Sequence, residues 1–294
     1  MKLFKLRLDL YDLEDNGIYL RITRNKLFEI KPIYLYYTWD NDGGIRNLDL
    51  YIKDLNKEKA KESLVSFMHL LNFMYHMDIS IAGGFYIWEV EGLPNNEIVE
   101  KVTNKNIVLL SETFQRINQY TGKEYKLIVQ CIKYFSRSLK LIELELFEES
   151  LLTAYKIIEL ISNKVFKDIY KEKFSGALAD IIPNFLKENF NENYSGQGKD
   201  NEINGYVINM GEELITARRK AVKALEHLNL LDLQDEIGEV IRIRNKVGAH
   251  SSISNPQVDI ETVANTQNIA RKMLTKYLFK NRYEKLALDG YKRY

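Results

Sequence analysis

The chain has 294 residues, 45% hydrophobic and 28% charged, long enough for two domains of ordinary size and balanced like a soluble globular protein. A formal net charge of +1 at pH 7 excludes an extended nucleic-acid coat and confines any such contact to a local patch. The single cysteine, Cys131, excludes an internal disulfide and a cysteine-rich zinc site and fits a reducing compartment. Met1 to Leu8 mixes charges with apolar residues and does not read as a signal peptide. No apolar run reaches the roughly 20 residues that a membrane helix needs, so a cytoplasmic location away from membranes is expected.

The first third reads as mixed α and β. Leu6, Leu8 and Leu10 alternate with other residues, as do Leu48, Leu50 and Ile52, which predicts half-buried strands. Ile33 to Trp39 is rich in tyrosine and ends at Asn41-Asp42-Gly43-Gly44, a hairpin turn signal. Ala60, Leu64, Phe67, Leu71 and Met74 then follow helical spacing, and strand chemistry resumes over Ile79 to Val90 around Gly83-Gly84. These predict a small sheet with one helix packed on it. His69 and His76 lie seven apart on that helix, about 10.5 Å along its axis, too far for one zinc ion at bond lengths near 2 Å. Packed or half-exposed histidines are the expectation, and Gly83-Gly84 reads as a bulge or bend. The domain's partner, if it has one, is a protein or small ligand of unspecified kind.

Pro94-Asn95-Asn96, a short apolar run over Ile107 to Leu110 and a polar segment mark a boundary. The expected organisation is an N-terminal mixed α/β domain over 1–105, a linker over 106–122 and a helical bundle over 123–294. In the bundle, Leu127, Cys131, Tyr134, Phe135 and Leu139 make one stripe, and Phe147, Leu151, Ala154, Ile158 and Ile161 make another. Glu159 follows Tyr155 by four beside the second stripe. Pro183 breaks a helical stretch, and a flexible insertion rich in Asn, Gly and Ser is expected over about 189–211. Its Ser195-Gly196-Gln197-Gly198-Lys199 lacks the spacing and preceding strand of a phosphate loop. Glu212 to His227 is the next helix, with Arg218, Arg219, Lys220 and Lys223 as a cluster able to track a phosphate backbone or to form a plain solvated face. A last helix carries Ile260, Val263, Ile269, Met273, Leu274, Tyr277 and Leu278 on its apolar side.

Between these two helices lies Ile241-Arg242-Ile243-Arg244-Asn245-Lys246-Val247-Gly248-Ala249-His250. Leu233, Ile237, Val240 and Ile241 form an amphipathic stripe, and Arg244 is next on it. A guanidinium on an apolar face is costly unless it is paired, so it meets a carboxylate inside the fold or lines a cleft. Glu159 is either that carboxylate or a glutamate at the solvent edge. His250 is about 600° round a regular helix from Arg244, and Gly248 allows the turn that would bring its imidazole back.

Arg244-Asn245, four further residues and His250 resemble the R-[N/D/H]-x(3–5)-H motif of the HEPN superfamily, and Arg-Asn followed by Ala-His resembles its Apea-like branch. The stretch Ala154-Tyr155-Lys156-Ile157-Ile158-Glu159-Leu160 is similar to the helix preceding the motif helix in Apea-like domains. The resemblance covers about Lys123 to Lys280 and leaves the N-terminal domain outside it. It implies a bundle of four or five helices that forms a homodimer, two copies of the motif meeting in one composite site. It further implies a metal-independent endoribonuclease with no cofactor, Arg244, Asn245 and His250 being catalytic and Glu159 supporting. RNA would be held by Arg218, Arg219, Lys220, Lys223 and Lys246, in a defence or toxin setting, with 2′,3′-cyclic phosphate and 5′-hydroxyl products. The alternative is an inactive dimerisation module of the same fold whose N-terminal domain binds a protein or small ligand. A metal-dependent hydrolase is disfavoured, because no histidine and carboxylate cluster has ligand spacing.

Overall fold

A computed structural model describes residues 1–9, 26–40, 44–76, 78, 87–95, 105–190, 215–248 and 258–279. Its N-terminal part is a five-stranded antiparallel sheet, followed by helices. The strands are β1 (Lys2–Asp9), β2 (Lys26–Ile30), β3 (Ile33–Asp40), β4 (Gly44–Asp54) and β5 (Ile87–Val90), in the order β2-β3-β4-β1-β5. The expected hairpin is present as β3–β4, with Asp40 opposite Gly44; residues 41–43 lie outside the described residues, as do Leu10 and Gly83-Gly84. β2 and β3 are joined through Lys31-Pro32, with Ile30 opposite Ile33.

Alternation sends two different chemistries to the two faces of the sheet. Phe4, Leu6, Leu8, Phe28, Ile30, Ile33, Leu35, Tyr37, Leu48, Leu50 and Ile52 are buried and share one core cluster with helix α1 (Lys57–Tyr75). On the other face, buried Asp49 accepts from Arg7 Nε and Nη2 at 2.8 and 3.0 Å and pairs with Lys5 Nζ at 2.5 Å. A carboxylate this buried is tolerable because two cations meet it. The Lys5 ammonium also lies 5.4 Å from the ring centre of Tyr51 and 5.5 Å from that of the exposed Trp88.

α1 begins at Asn56, whose side chain accepts from the backbone N–H of Glu58 and Lys59, satisfying two orphan donors of the first turn. The helix is shared by sheet and bundle. Phe67 meets Phe114 of α2 (Lys105–Asn118) edge-on at 5.2 Å, and Phe73 meets Phe135 of α3 (Gly122–Glu143) edge-on at 5.4 Å. The segment 106–122, expected to be a linker, is therefore largely helical: Ile107, Leu110 and Ile117 are buried in the common core. Arg116 Nε and Tyr120 Oη both donate to the carbonyl of Leu278, near the far end of the chain's last described helix. One contiguous cluster of buried side chains runs from the sheet into the bundle.

The two histidines of α1 are structural. His69 Nδ1 lies 2.8 Å from Ser136 Oγ, which also accepts from Asn72 Nδ2 at 2.8 Å. His76 caps the C-terminus in the left-handed region, with φ 54°, and stacks at an angle on Phe135 at 5.3 Å. Arg271, buried in the last helix, donates from Nη2 to the carbonyl of Met74 at 2.5 Å. A cation at the carbonyl end of α1 suits the helix dipole.

The bundle continues with α4 (Phe147–Phe190), α5 (Ala217–His227), α6 (Gln234–Gly248) and α7 (Ile260–Phe279). A 3₁₀ turn at Leu231–Leu233 precedes α6. Pro183, expected to break a helix, sits inside α4, where it cannot donate a backbone hydrogen bond. Asn189 and Phe190 end α4, and the rest of the expected insertion lies outside the described residues. α5 starts at Ala217, where Thr216 caps it by accepting from the backbone N–H of Arg219; the expected start near Glu212 lies outside the described residues. α3, α4 and α7 are keyed together by polar groups: Ser138 and Ser150 exchange hydrogen bonds with each other's carbonyls, and Gln267 Nε2 donates to Ser138 Oγ at 2.8 Å. Among the described residues no helix is long and apolar enough to cross a membrane.

Candidate functional site

α6 packs against α4 through the predicted stripe: Ile237, Val240 and Ile241 join the main core, whereas Val247 joins a smaller cluster with Leu151, Val258 and Val263. Arg244 occupies the gap between the two clusters. Three and four residues separate it from Ile241 and Val240, so it stays on the interior face and is half-buried. The guanidinium is held in two ways. Its carbon lies 5.1 Å from the ring centre of Tyr155 on α4, and Nη1 donates to Asn245 Oδ1 at 3.1 Å.

Glu159 does not supply the carboxylate that Arg244 was expected to need. It lies one turn beyond Tyr155 and half-buried, and among the described residues it makes no ion pair with Arg244. Both charges act on the ring between them. Burial pushes the Tyr155 phenol above its usual range, the Glu159 carboxylate pushes it further, and the Arg244 guanidinium opposes both. An aromatic face can take the place of a counter-ion for a guanidinium, by about 0.5–2 kcal/mol, without occupying any of its N–H groups. The cation is thereby held, and among the described residues its guanidinium donates one side-chain hydrogen bond, to Asn245.

Asn245 is exposed and anchors one edge of that guanidinium. Ala249 and His250 lie outside the described residues, and α6 is described as far as Gly248. The five cations expected to hold a phosphate backbone are not one uniform patch. Arg218 lies across Gly238 of α6, where a Cβ would stand 3.4 Å from its Nη2. Lys220 is folded over the Phe166 ring at 5.7 Å, and Lys223 pairs with Glu226 at 2.7 Å. Arg219 and Lys246 are exposed. Surface pairs such as Lys223–Glu226 contribute little and open readily to another anion. The first turn of α5 carries Arg218, Arg219 and Lys220 and no acidic residue, the reverse of what the helix dipole favours.

Tyr155 is the residue whose role the sequence did not reveal. The only signal was its spacing, one turn before Glu159 on a buried stripe. Among the described residues, no group of three or more His, Cys, Asp or Glu side chains could hold a metal ion. Cys131 is buried in α3, and burial pushes its thiol up to about 12, which leaves it protonated and inert. Compared with protein-family models, curated proteins and solved structures, the chain gives no match.

Proposed function

We propose that the protein is a metal-independent endoribonuclease of the HEPN type, acting as a homodimer with a composite site built from Arg244, Asn245 and His250. The observation that carries the reading is Arg244: a guanidinium on the interior face of a helix, steadied by an aromatic ring and an amide, with no carboxylate neutralising it among the described residues. Such a cation is suited to an incoming phosphate, which it grips bidentately and without titrating.

Cleavage needs a base for the 2′-hydroxyl, charge stabilisation at the phosphorus and an acid for the leaving 5′-oxygen. Neutral His250 takes the first proton, and a protonated His250 from the second copy gives one to the leaving group. Arg244 stabilises the oxygens that gain charge, and Asn245 keeps the guanidinium edge-on to them. Arg218, Arg219, Lys220, Lys223 and Lys246 extend the cationic path for the flanking backbone. The site requires no cofactor or metal in this scheme.

The reading is tested by incubating mixed structured and single-stranded RNAs with the protein in EDTA. The wild type is expected to cleave, and His250→Ala is expected to lose cleavage while keeping its fold and its dimer. Equal products from both would remove His250 from the reaction, and no products from the wild type would leave a binding module as the better description.

A further inference from the structure

Resting on the ribonuclease reading of the same site, we propose that Tyr155 is the positioning residue that aims Arg244 at the phosphodiester, its ring face doing the work that a carboxylate does for most buried arginines. Tyr155 projects from the buried side of α4 beside Ala154, Ile158 and Ile161, and is itself only 3% exposed. Its place is therefore fixed by core packing, and the Arg244 guanidinium carbon lies over its ring, 5.1 Å from the centre.

The consequence follows from counting donors. A guanidinium has five N–H groups in a planar fork. A bidentate carboxylate would occupy two of them and cancel the charge before any substrate arrived. The ring of Tyr155 occupies none, and Asn245 takes a single N–H of Nη1. Nε and Nη2 lie on the remaining edge, and that pair matches two oxygens of one phosphate. Glu159 stands close enough to influence the Tyr155 phenol but makes no ion pair with Arg244 among the described residues, so the cation keeps its charge.

It is the ring, not the hydroxyl, that positions Arg244. The Tyr155 hydroxyl makes no hydrogen bond among the described residues, so Tyr155→Phe keeps the working part of the side chain.

The test is binding of a short fluorescent 2′-O-methyl RNA, which presents phosphates but no nucleophile, to the full chain. Tyr155→Phe is expected to bind within about twofold of wild type. Tyr155→Leu is expected to bind about five- to tenfold more weakly, the range that a lost cation–aromatic contact allows. In the Arg244→Ala background the same Tyr155→Leu change is expected to cost less than about twofold, because the loss runs through the arginine. A ring that merely packed would show no such coupling. Binding by Tyr155→Leu at the wild-type level, or an equal loss with and without Arg244, overturns the positioning role and leaves the ribonuclease reading standing. Wild-type binding that Arg244→Ala leaves unchanged, or no binding by the wild type, overturns the ribonuclease reading and the positioning role with it. If Tyr155→Leu does not fold, as judged by its melting profile, Tyr155→Met carries the same criterion.

Discussion

Arg244→Ala is expected to slow RNA cleavage by about 10²–10³-fold under single-turnover conditions, the loss found when one preorganised donor to developing negative charge is removed. The size follows from where the guanidinium sits. It is half-buried between two apolar clusters, so its charge is screened less than that of an exposed arginine. It is also already oriented by Tyr155 and Asn245, so little ordering remains to be done when substrate binds. Arg244→Lys is expected to recover only part of the rate. A lysine keeps the charge but loses the planar fork that matches two phosphate oxygens and stacks on a ring. Melting curves separate this from misfolding. Rates of Arg244→Ala within about threefold of wild type would remove the residue from the transition state.

Acidification from pH 6.5 towards 4 is expected to destabilise the fold through His69 by roughly 1.4 kcal/mol per pH unit. Burial is the first cause, and the nearby Lys133 ammonium the second; together they lower the His69 pKa to about 4, against a weaker opposing pull from Asp78. Packing leaves its imidazole beside Ser136 Oγ, in a network with Asn72, which suits the neutral ring. Below pH 6.5 the unfolded chain takes up a proton at this histidine and the folded chain does not until about pH 4, so falling pH favours unfolding. At pH 5 the loss is about 2 kcal/mol. His69→Asn keeps a hydrogen-bonding group near the same place and removes the titration. Urea unfolding at pH 7.5, 6 and 5 should therefore show wild type losing stability relative to the variant, and parallel profiles would contradict it.

The regular parts of the fold were legible because one side of each element is buried. The apolar positions read from spacing in α1, Ala60, Leu64, Phe67, Leu71 and Met74, are all in the core. The same holds for Val263, Ile269, Met273, Leu274 and Leu278 of α7. The misses have local causes. In α2, Ile107, Leu110, Phe114 and Ile117 have helical spacing, but the proline and asparagines before them and the polar residues among them read as a boundary. β2 has only five residues and reaches the sheet through a Lys31-Pro32 turn that carries no glycine signal. Pro183 reads as a helix end, yet the helix runs through it to Phe190, because a proline removes one backbone donor and does not by itself forbid helical φ. Arg271 interrupts the apolar pattern of α7 because its partners, Met74 and His76, are almost 200 residues away and no spacing reveals them.

At the candidate site, the direction of Arg244 was legible from its stripe, but its partner was not. Tyr155 and Glu159 are one turn apart on the same helix, and only the packing of α6 on α4 decides which of them the guanidinium meets. Val247 against Leu151 and Arg244 against Tyr155 show the two helices running antiparallel, with the arginine one turn short of the glutamate.

The most direct measurement is the end chemistry of the products. A single-stranded RNA and its fully 2′-O-methylated counterpart would be incubated with the wild-type chain in EDTA, and the ends of any fragments identified by mass. A metal-independent histidine mechanism that uses the substrate's own 2′-hydroxyl predicts 2′,3′-cyclic phosphate and 5′-hydroxyl ends from the RNA and no fragments from the methylated strand. Cleavage of the methylated strand, or fragments ending in 3′-hydroxyl and 5′-phosphate, would show that a water molecule and not the ribose is the nucleophile, and would contradict the Arg244, Asn245 and His250 mechanism.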